Sequence, residues 1–264
     1  MTRRIVGVYT HPHPDLSAPY FRETLRGIRR LFSPRRIVLR LNPLVLPADG
    51  ALFLAPSRDD ARLLSYRKTG RPLVLLQSVS RRCLSVDMDN EGAARRAVRY
   101  LISLGHERIA VLNGKMEMKN ARDRYAGYRK ELGNHRLRRL SRWKGDGRFD
   151  RRRGFRAMRR ILSASPRPTA VFAANDHMAL GAMEAIRRAG LDVPKDISVV
   201  GFDDVTEARR SDPPLTTIRQ PLEEMAVMAA KLLLKEMEGK LPKKRPAPVV
   251  LQGRLVIRES CRKI

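Results

Sequence analysis

Four polar residues stand in two pairs, Asn175-Asp176 and Asp203-Asp204, each pair closing an apolar run, Ala170 to Ala174 and Ile197 to Phe202. Carboxylates accept several hydrogen bonds and a carboxamide both donates and accepts, so this set suits a ligand rich in hydroxyls. Paired acid and base catalysis fits poorly. Adjacent residues at a strand end point to opposite faces, which separates Asp203 from Asp204. The sequence also lacks a phosphate-cradling glycine loop, a zinc-ligand spacing and a nucleophile elbow. Asp203 has a second reading, as the cap of a helix or turn with nothing bound.

The elements around these pairs are legible. Met178, Ala179, Ala182, Met183 and Ile186 fall on one face of a helix, Gly190 reads as its C-cap, and Pro194 follows. Strand, helix, strand is therefore expected, with polar groups at the carboxyl ends of both strands. Open α/β sheets bind ligands just outside those ends, so Asn175 and Asp203 should face one crevice. The same alternation runs through the chain. Strands are expected at Ile5 to Thr10, Ile37 to Leu41, Ala51 to Ala55, Leu73 to Gln77, Leu84 to Met88, Ile109 to Leu112 and Leu215 to Pro221. Helices are expected at Pro19 to Leu31, Arg58 to Lys68, Ala93 to Leu104, Ala121 to Leu132, Gly147 to Leu162 and Leu222 to Glu238, with a final hairpin-like stretch at Val249 to Ile257. Only seven residues, Asn42 to Ala48, separate Leu41 from Asp49, too few for a helical crossover, so an exposed flank or irregular strand is expected there.

The segments FAANDHMALGAMEAIRRAG, DISVVGFDD and PPLTTIRQP, in that order, resemble the effector-binding core of LacI/GalR-type regulators, and LGHERIA is a further match. The resemblance implies two doubly wound parallel-sheet α/β lobes of the periplasmic-binding-protein-like type I fold. It assigns residues 1–88 plus 221–247 to the first lobe and 89–220 plus 248–264 to the second, with crossings near 87–90, 219–222 and 246–249. It implies an effector site in which Arg124 and Gln220 join Asp203 and Asn175. Phe149 stands where the family often places an aromatic against the ligand. The first loop, DLSAPYF, resembles the family's cleft loop, with Ala18 where asparagine often sits, and makes Tyr20 or Phe21 a second apolar wall. Gln77 replaces a common aspartate. His106 reads as a turn residue, and His11 and His13 without a third ligand do not make a metal site.

The expected function is a sensor of a sugar or nucleobase-like effector, signalling by lobe closure, rather than an enzyme, with no cofactor or metal. The alternative is the solute-binding component of a sugar transport system. The resemblance implies a homodimer. No counterpart of the family's helix-turn-helix headpiece is expected in these residues, because the first strand is expected almost at Met1. Sequence-specific DNA recognition is therefore not expected of these residues.

Charge pulls the other way. Lys and Arg total 55 against 27 Asp and Glu, a net charge of +28. Such a balance predicts weak, non-specific polyanion binding. Twelve basic residues lie between His135 and Arg160, opposed only by Asp146 and Asp150. An arginine-biased composition on solvated faces is the simpler reading, and few aromatics argue against single-strand stacking platforms. Cys83 and Cys261 have no metal or redox spacing and read as reduced packing residues. With no signal-peptide core and no membrane-length apolar run, the expected location is the cytoplasm, without a membrane partner.

Overall fold

The computed structural model describes residues 4–10, 19–43, 49–57, 59–80, 82–242 and 246–264. The chain forms two compact units, Met1–Met88 with Pro221–Leu251, and Asp89–Gln220 with Gln252–Ile264.

The first unit begins with β1 (Ile5–Tyr9), α1 (Pro19–Phe32), β2 (Val38–Leu41), β3 (Gly50–Leu54), α2 (Ala61–Lys68), β4 (Leu73–Leu76) and β5 (Leu84–Met88). The second unit follows with α3 (Asn90–Ser103), β6 (Ile109–Asn113), α4 (Lys119–Asn134), β7 (Lys144–Asp146) and α5 (Arg151–Leu162). It continues through β8 (Ala170–Ala173), α6 (Asp176–Arg188), β9 (Ser198–Asp203), the short α7 (Thr206–Arg209) and β10 (Thr216–Arg219). The chain then returns to the first unit with α8 (Leu222–Met237) and β11 (Val249–Leu251), and ends in the second with β12 (Arg254–Val256).

Each unit is built on a six-stranded sheet. The first has strand order β11-β5-β4-β3-β1-β2 and is parallel throughout. The second has order β12-β10-β9-β8-β6-β7 and is parallel except for β12, which runs antiparallel to β10. The apolar strands are buried on both faces, as a helix-covered parallel sheet requires: every residue of β3, β4, β6 and β8 is buried. Strand order reverses beside β1 in the first sheet and beside β6 in the second.

Helix boundaries follow their caps. Asp89 accepts from the Gly92 amide at 2.8 Å, so α3 starts at Asn90, three residues before the expected Ala93. Asp150 does the same for the Arg153 amide at 2.8 Å, which starts α5 at Arg151 instead of the expected Gly147. Residues Arg148 and Phe149, expected to be helical, have φ of 47° and 64°. Gly190, at φ 73°, closes α6, with the Leu191 amide donating to the Ile186 carbonyl at 3.2 Å.

Two further expectations meet different outcomes. No hairpin forms at Val249 to Ile257, because β11 pairs with β5 in the first sheet and β12 with β10 in the second. Between β2 and β3 no helix occurs among the described residues, and 44–48 of the shortened segment lie outside them. The edge strand β2 is correspondingly open, with Val38 36% and Leu41 37% exposed. Cys83 is buried in the first unit with Tyr9, Phe53 and Tyr66, and both cysteines are free thiols. None of the described helices is long and apolar enough to cross a membrane.

Candidate functional site

In the second unit, the side chains of α4, β9 and the segment after β10 meet at the carboxyl ends of the strands. Arg124, on α4, is only 3% exposed. Its Nε donates to Asn90 Oδ1 at 2.9 Å, and one terminal nitrogen lies 2.6 Å from the Ala174 carbonyl and 3.4 Å from Asp203 Oδ1. The guanidinium carbon sits 3.7 Å from the Phe202 ring centroid and 5.9 Å from that of Phe149. A guanidinium over an aromatic face gains electrostatic attraction that grows when water is excluded. Arg124 is therefore fixed by backbone, amide and ring before any ligand is considered.

Asp203 ends β9 at φ 126°, a backbone region that side chains rarely enter. Its Oδ1 takes the hydrogen bond of Gln220 Nε2 at 2.6 Å as well as the Arg124 contact. Its Oδ2 receives no hydrogen bond from a described residue, and the side chain is 14% exposed. Burial raises the Asp203 carboxyl above the usual carboxylate range, against the opposing pull of Arg124 and Gln220. The cap reading of Asp203 is not what the structure shows, since its partners are side chains from other elements.

Asn175 is the N-cap of α6. Its Oδ1 accepts from the Met178 amide at 3.0 Å and its Nδ2 donates to the Phe149 carbonyl at 3.2 Å. Asn175 thereby holds the turn that presents the half-buried Phe149 ring. Gly114 makes the room: a Cβ there would lie 2.1 Å from that ring. Arg124, Phe149, Asn175, Asp203 and Gln220 are thus gathered in one place. Phe21 is half-buried in the first turn of α1, in the first unit, and the Tyr20 side chain lies outside the described residues, as do His11, His13 and the rest of the first loop to Ala18. In the first unit the buried Gln77, at φ 59° just beyond β4, has an Oε1 without a hydrogen-bond partner among the described residues.

Three site residues carry no obvious sequence signal for their roles. Phe202 reads only as a strand apolar, yet it floors the guanidinium. Asn90 follows a capping aspartate and supplies the acceptor for Arg124 Nε. Asp176 is fully buried at the start of α6, where Thr217 Oγ1 lies 2.5 Å from its Oδ1 and the Val205 amide donates to Oδ2 at 2.9 Å. Burial pushes its carboxyl up to about 7, and the Asp203 carboxylate pushes the same way. Asp204 points elsewhere, into Arg258 at 2.5 Å, Arg209 at 3.2 Å and Arg219. Burial would raise the Asp204 carboxyl, but Arg258 and Arg219 hold it below the usual range.

His106 is buried between elements, with Nδ1 3.0 Å from Thr169 Oγ1 and Nε2 3.0 Å from Ser198 Oγ and 3.2 Å from the Arg262 carbonyl. Burial depresses its basicity.

Two doubly wound units with a buried arginine, carboxylate and amide at the strand ends define a ligand-binding protein of the periplasmic-binding-protein-like class. The family model described as "Periplasmic binding protein-like domain" matches residues 98–261. The chain belongs to the LacI family of transcriptional regulators, as an effector-binding core. It is 32% identical over 261 residues to the probable HTH-type transcriptional repressor ExuR of Bacillus subtilis (strain 168), covering 94% of this chain and 78% of that protein. It is 38% identical over 220 residues to the HTH-type transcriptional regulator CelR of Thermobifida fusca, covering 80% of this chain but only 63% of that protein. A solved complex of the transcriptional regulator CelR with cellobiose superposes with a TM-score of 0.89 at 31% identity, covering 98% of this chain and 85% of that one.

Proposed function

We propose that this chain senses a small hydroxylated effector, a sugar or a nucleobase-like molecule, on behalf of a transcriptional regulator. The observation that carries the reading is the half-spent Asp203 carboxylate. Oδ1 is held by Arg124 and Gln220, while Oδ2 receives no hydrogen bond from a described residue, on a side chain that is not fully buried. A carboxylate held in this way presents a preset acceptor, and a hydroxyl pair or a ring N–H matches it without reorganisation. The Phe149 ring beside it offers an apolar face for a pyranose or a base. Relatives that regulate transcription, one of them solved with cellobiose, favour a sugar. Binding would then shift the chain's conformational population by its differential affinity for two states.

Calorimetry against a panel of mono- and disaccharides, uronic acids and purines tests this reading. One class should bind, and Asp203→Ala should weaken it by roughly ten- to a hundredfold, as expected for losing a hydrogen bond to a charged group. Asp203→Asn, which keeps one acceptor, should fall between. An affinity indifferent to Asp203→Ala would remove this residue from the site, and no binding across the panel would remove the reading.

A further inference from the structure

The outer face of α5 carries Arg151, Arg152, Arg153, Arg156, Arg159 and Arg160, all exposed, while Gly154, Ala157, Met158, Ile161 and Leu162 face the core. No acidic residue interrupts that outer face, and Phe155 is its only apolar member. Among the described residues, no carboxylate pairs with Arg152, Arg153, Arg156 or Arg159; Glu184, at the border with α6, pairs with Arg151 at 3.6 Å and Arg188 at 2.8 Å. Beside α5 runs β7, the edge strand of its sheet, whose exposed Lys144 offers its carbonyl to Arg160 at 2.8 Å.

Local physics argues against this arrangement as a stability device. Three arginines fill the first turn of α5, where the helix dipole is positive and each cation costs about 0.3–1 kcal/mol. Among the described helices α5 alone opens this way. The Asp150 cap and the Arg151–Glu184 pair offset part of that cost, but Arg152, Arg153, Arg156 and Arg159 have no carboxylate partner among the described residues, and cations held in this way are the mark expected of a binding surface.

We propose that the outer face of α5 binds the phosphate backbone of duplex nucleic acid without reading its sequence. Guanidinium forks match pairs of phosphate oxygens, which suits arginine better than lysine. The helix is about 18 Å long at 1.5 Å per residue, and a duplex presents a charge about every 1.7 Å along its axis, so several phosphates fall within reach at once. Single strands fit less well, because Phe155 is already flanked by Arg188 at 5.2 Å and Arg159 at 6.0 Å and no other ring on this face can stack a base. A bilayer fits less well again, since the face has no apolar ridge to insert. The surface is distinct from the Arg124 and Asp203 cluster and does not depend on what that cluster binds.

The test is fluorescence anisotropy of the whole chain with unrelated duplexes of about 20 base pairs over a salt series starting at roughly 50 mM. The triple variant Arg152→Ala, Arg156→Ala, Arg159→Ala should bind at least about tenfold more weakly at low salt, with the slope of log affinity against log salt reduced by about 2.7. A matched triple on α1, Arg22→Ala, Arg26→Ala, Arg29→Ala, removes the same charge from exposed positions in the other unit and should change both quantities far less. Arg-to-Lys changes at the three α5 positions should keep the slope, which separates lost contacts from a lost fold. Equal losses in the two alanine triples would mean diffuse charge only and would overturn the proposal. So would a more than tenfold preference for one duplex, or tighter binding to phosphatidylserine vesicles of equal charge concentration.

Discussion

Replacing Arg124 by methionine tests whether the guanidinium is the keystone of the second unit. The change keeps the bulk over Phe202 but removes the contact with Asp203 and the hydrogen bonds to Asn90 and Ala174. Both charged side chains are largely buried, 4% and 14% exposed, so solvent screening offers little relief. Breaking such a pair from one side costs about 3–5 kcal/mol. Trp143 is the only tryptophan, it is buried in the second unit, and its fluorescence during urea unfolding therefore follows the unit that holds Arg124. The pH dependence has a definite sign. Burial already raises the Asp203 carboxyl, and losing Arg124 removes the strongest influence that lowers it. A carboxyl whose folded pKa lies above its unfolded value, about 3.9, is penalised as pH rises between those two values. The variant's deficit should thus be largest near pH 7 and shrink by about 1 kcal/mol or more by pH 5. Adding Asp203→Asn should recover much of it, as coupled partners do. A deficit below about 1 kcal/mol, or one that ignores both pH and the second substitution, would refute the reasoning.

Other residues make separate claims. Asp176→Asn keeps an acceptor for the Val205 amide and a donor for Thr217 while removing a carboxyl pushed up to about 7; its stability relative to the parent should rise from pH 5 to pH 8, and a constant difference in urea midpoints would contradict this. His106→Gln removes a buried imidazole of depressed pKa, which penalises folding as pH falls below about 6.5, so the variant should lose less stability than the parent between pH 7 and pH 5. Gly181→Ala would place a Cβ 2.1 Å from the Arg151 carbonyl, so α5 and α6 must part; the expected loss is about 1–3 kcal/mol despite alanine's better helix propensity, and a gain in thermal midpoint would show that the contact yields easily.

The stretch from Ala170 to Asp203 was readable because every local signal agreed: a continuous apolar run, a polar pair closing it, one apolar helix face and a closing glycine. The start of α5 was not. Nothing in Gly147 to Asp150 announces that Arg148 and Phe149 take left-handed backbone angles. The Asn175 carboxamide and the space over Gly114, both distant in sequence, hold that turn. The end of the chain misled for a related reason. Only Gln252 and Gly253 separate β11 from β12, a spacing typical of a hairpin, but each strand has a better partner in a different sheet. The carboxylates divide the same way. That Asp203 and Asp204 diverge is what alternation along a strand predicts, although both take positive φ, 126° and 64°, whereas the buried role of Asp176 depends on Thr217, 41 positions away.

The return of the chain to its first unit sets an order on biosynthesis. Residues up to Met88 leave the ribosome before α8 and β11 exist, yet α1 lies against α8 so closely that a Cβ at Gly27 would meet the Glu223 carbonyl at 2.6 Å. Ile28 and Phe32, fully buried in the finished fold, belong to an element that must wait for that partner. Domains usually mature from the amino end during translation. Here the amino-terminal unit closes only after most of the second has been made, and a nascent chain stopped after Gln220 would present α1 without α8, an exposed apolar face for chaperones and proteases to find.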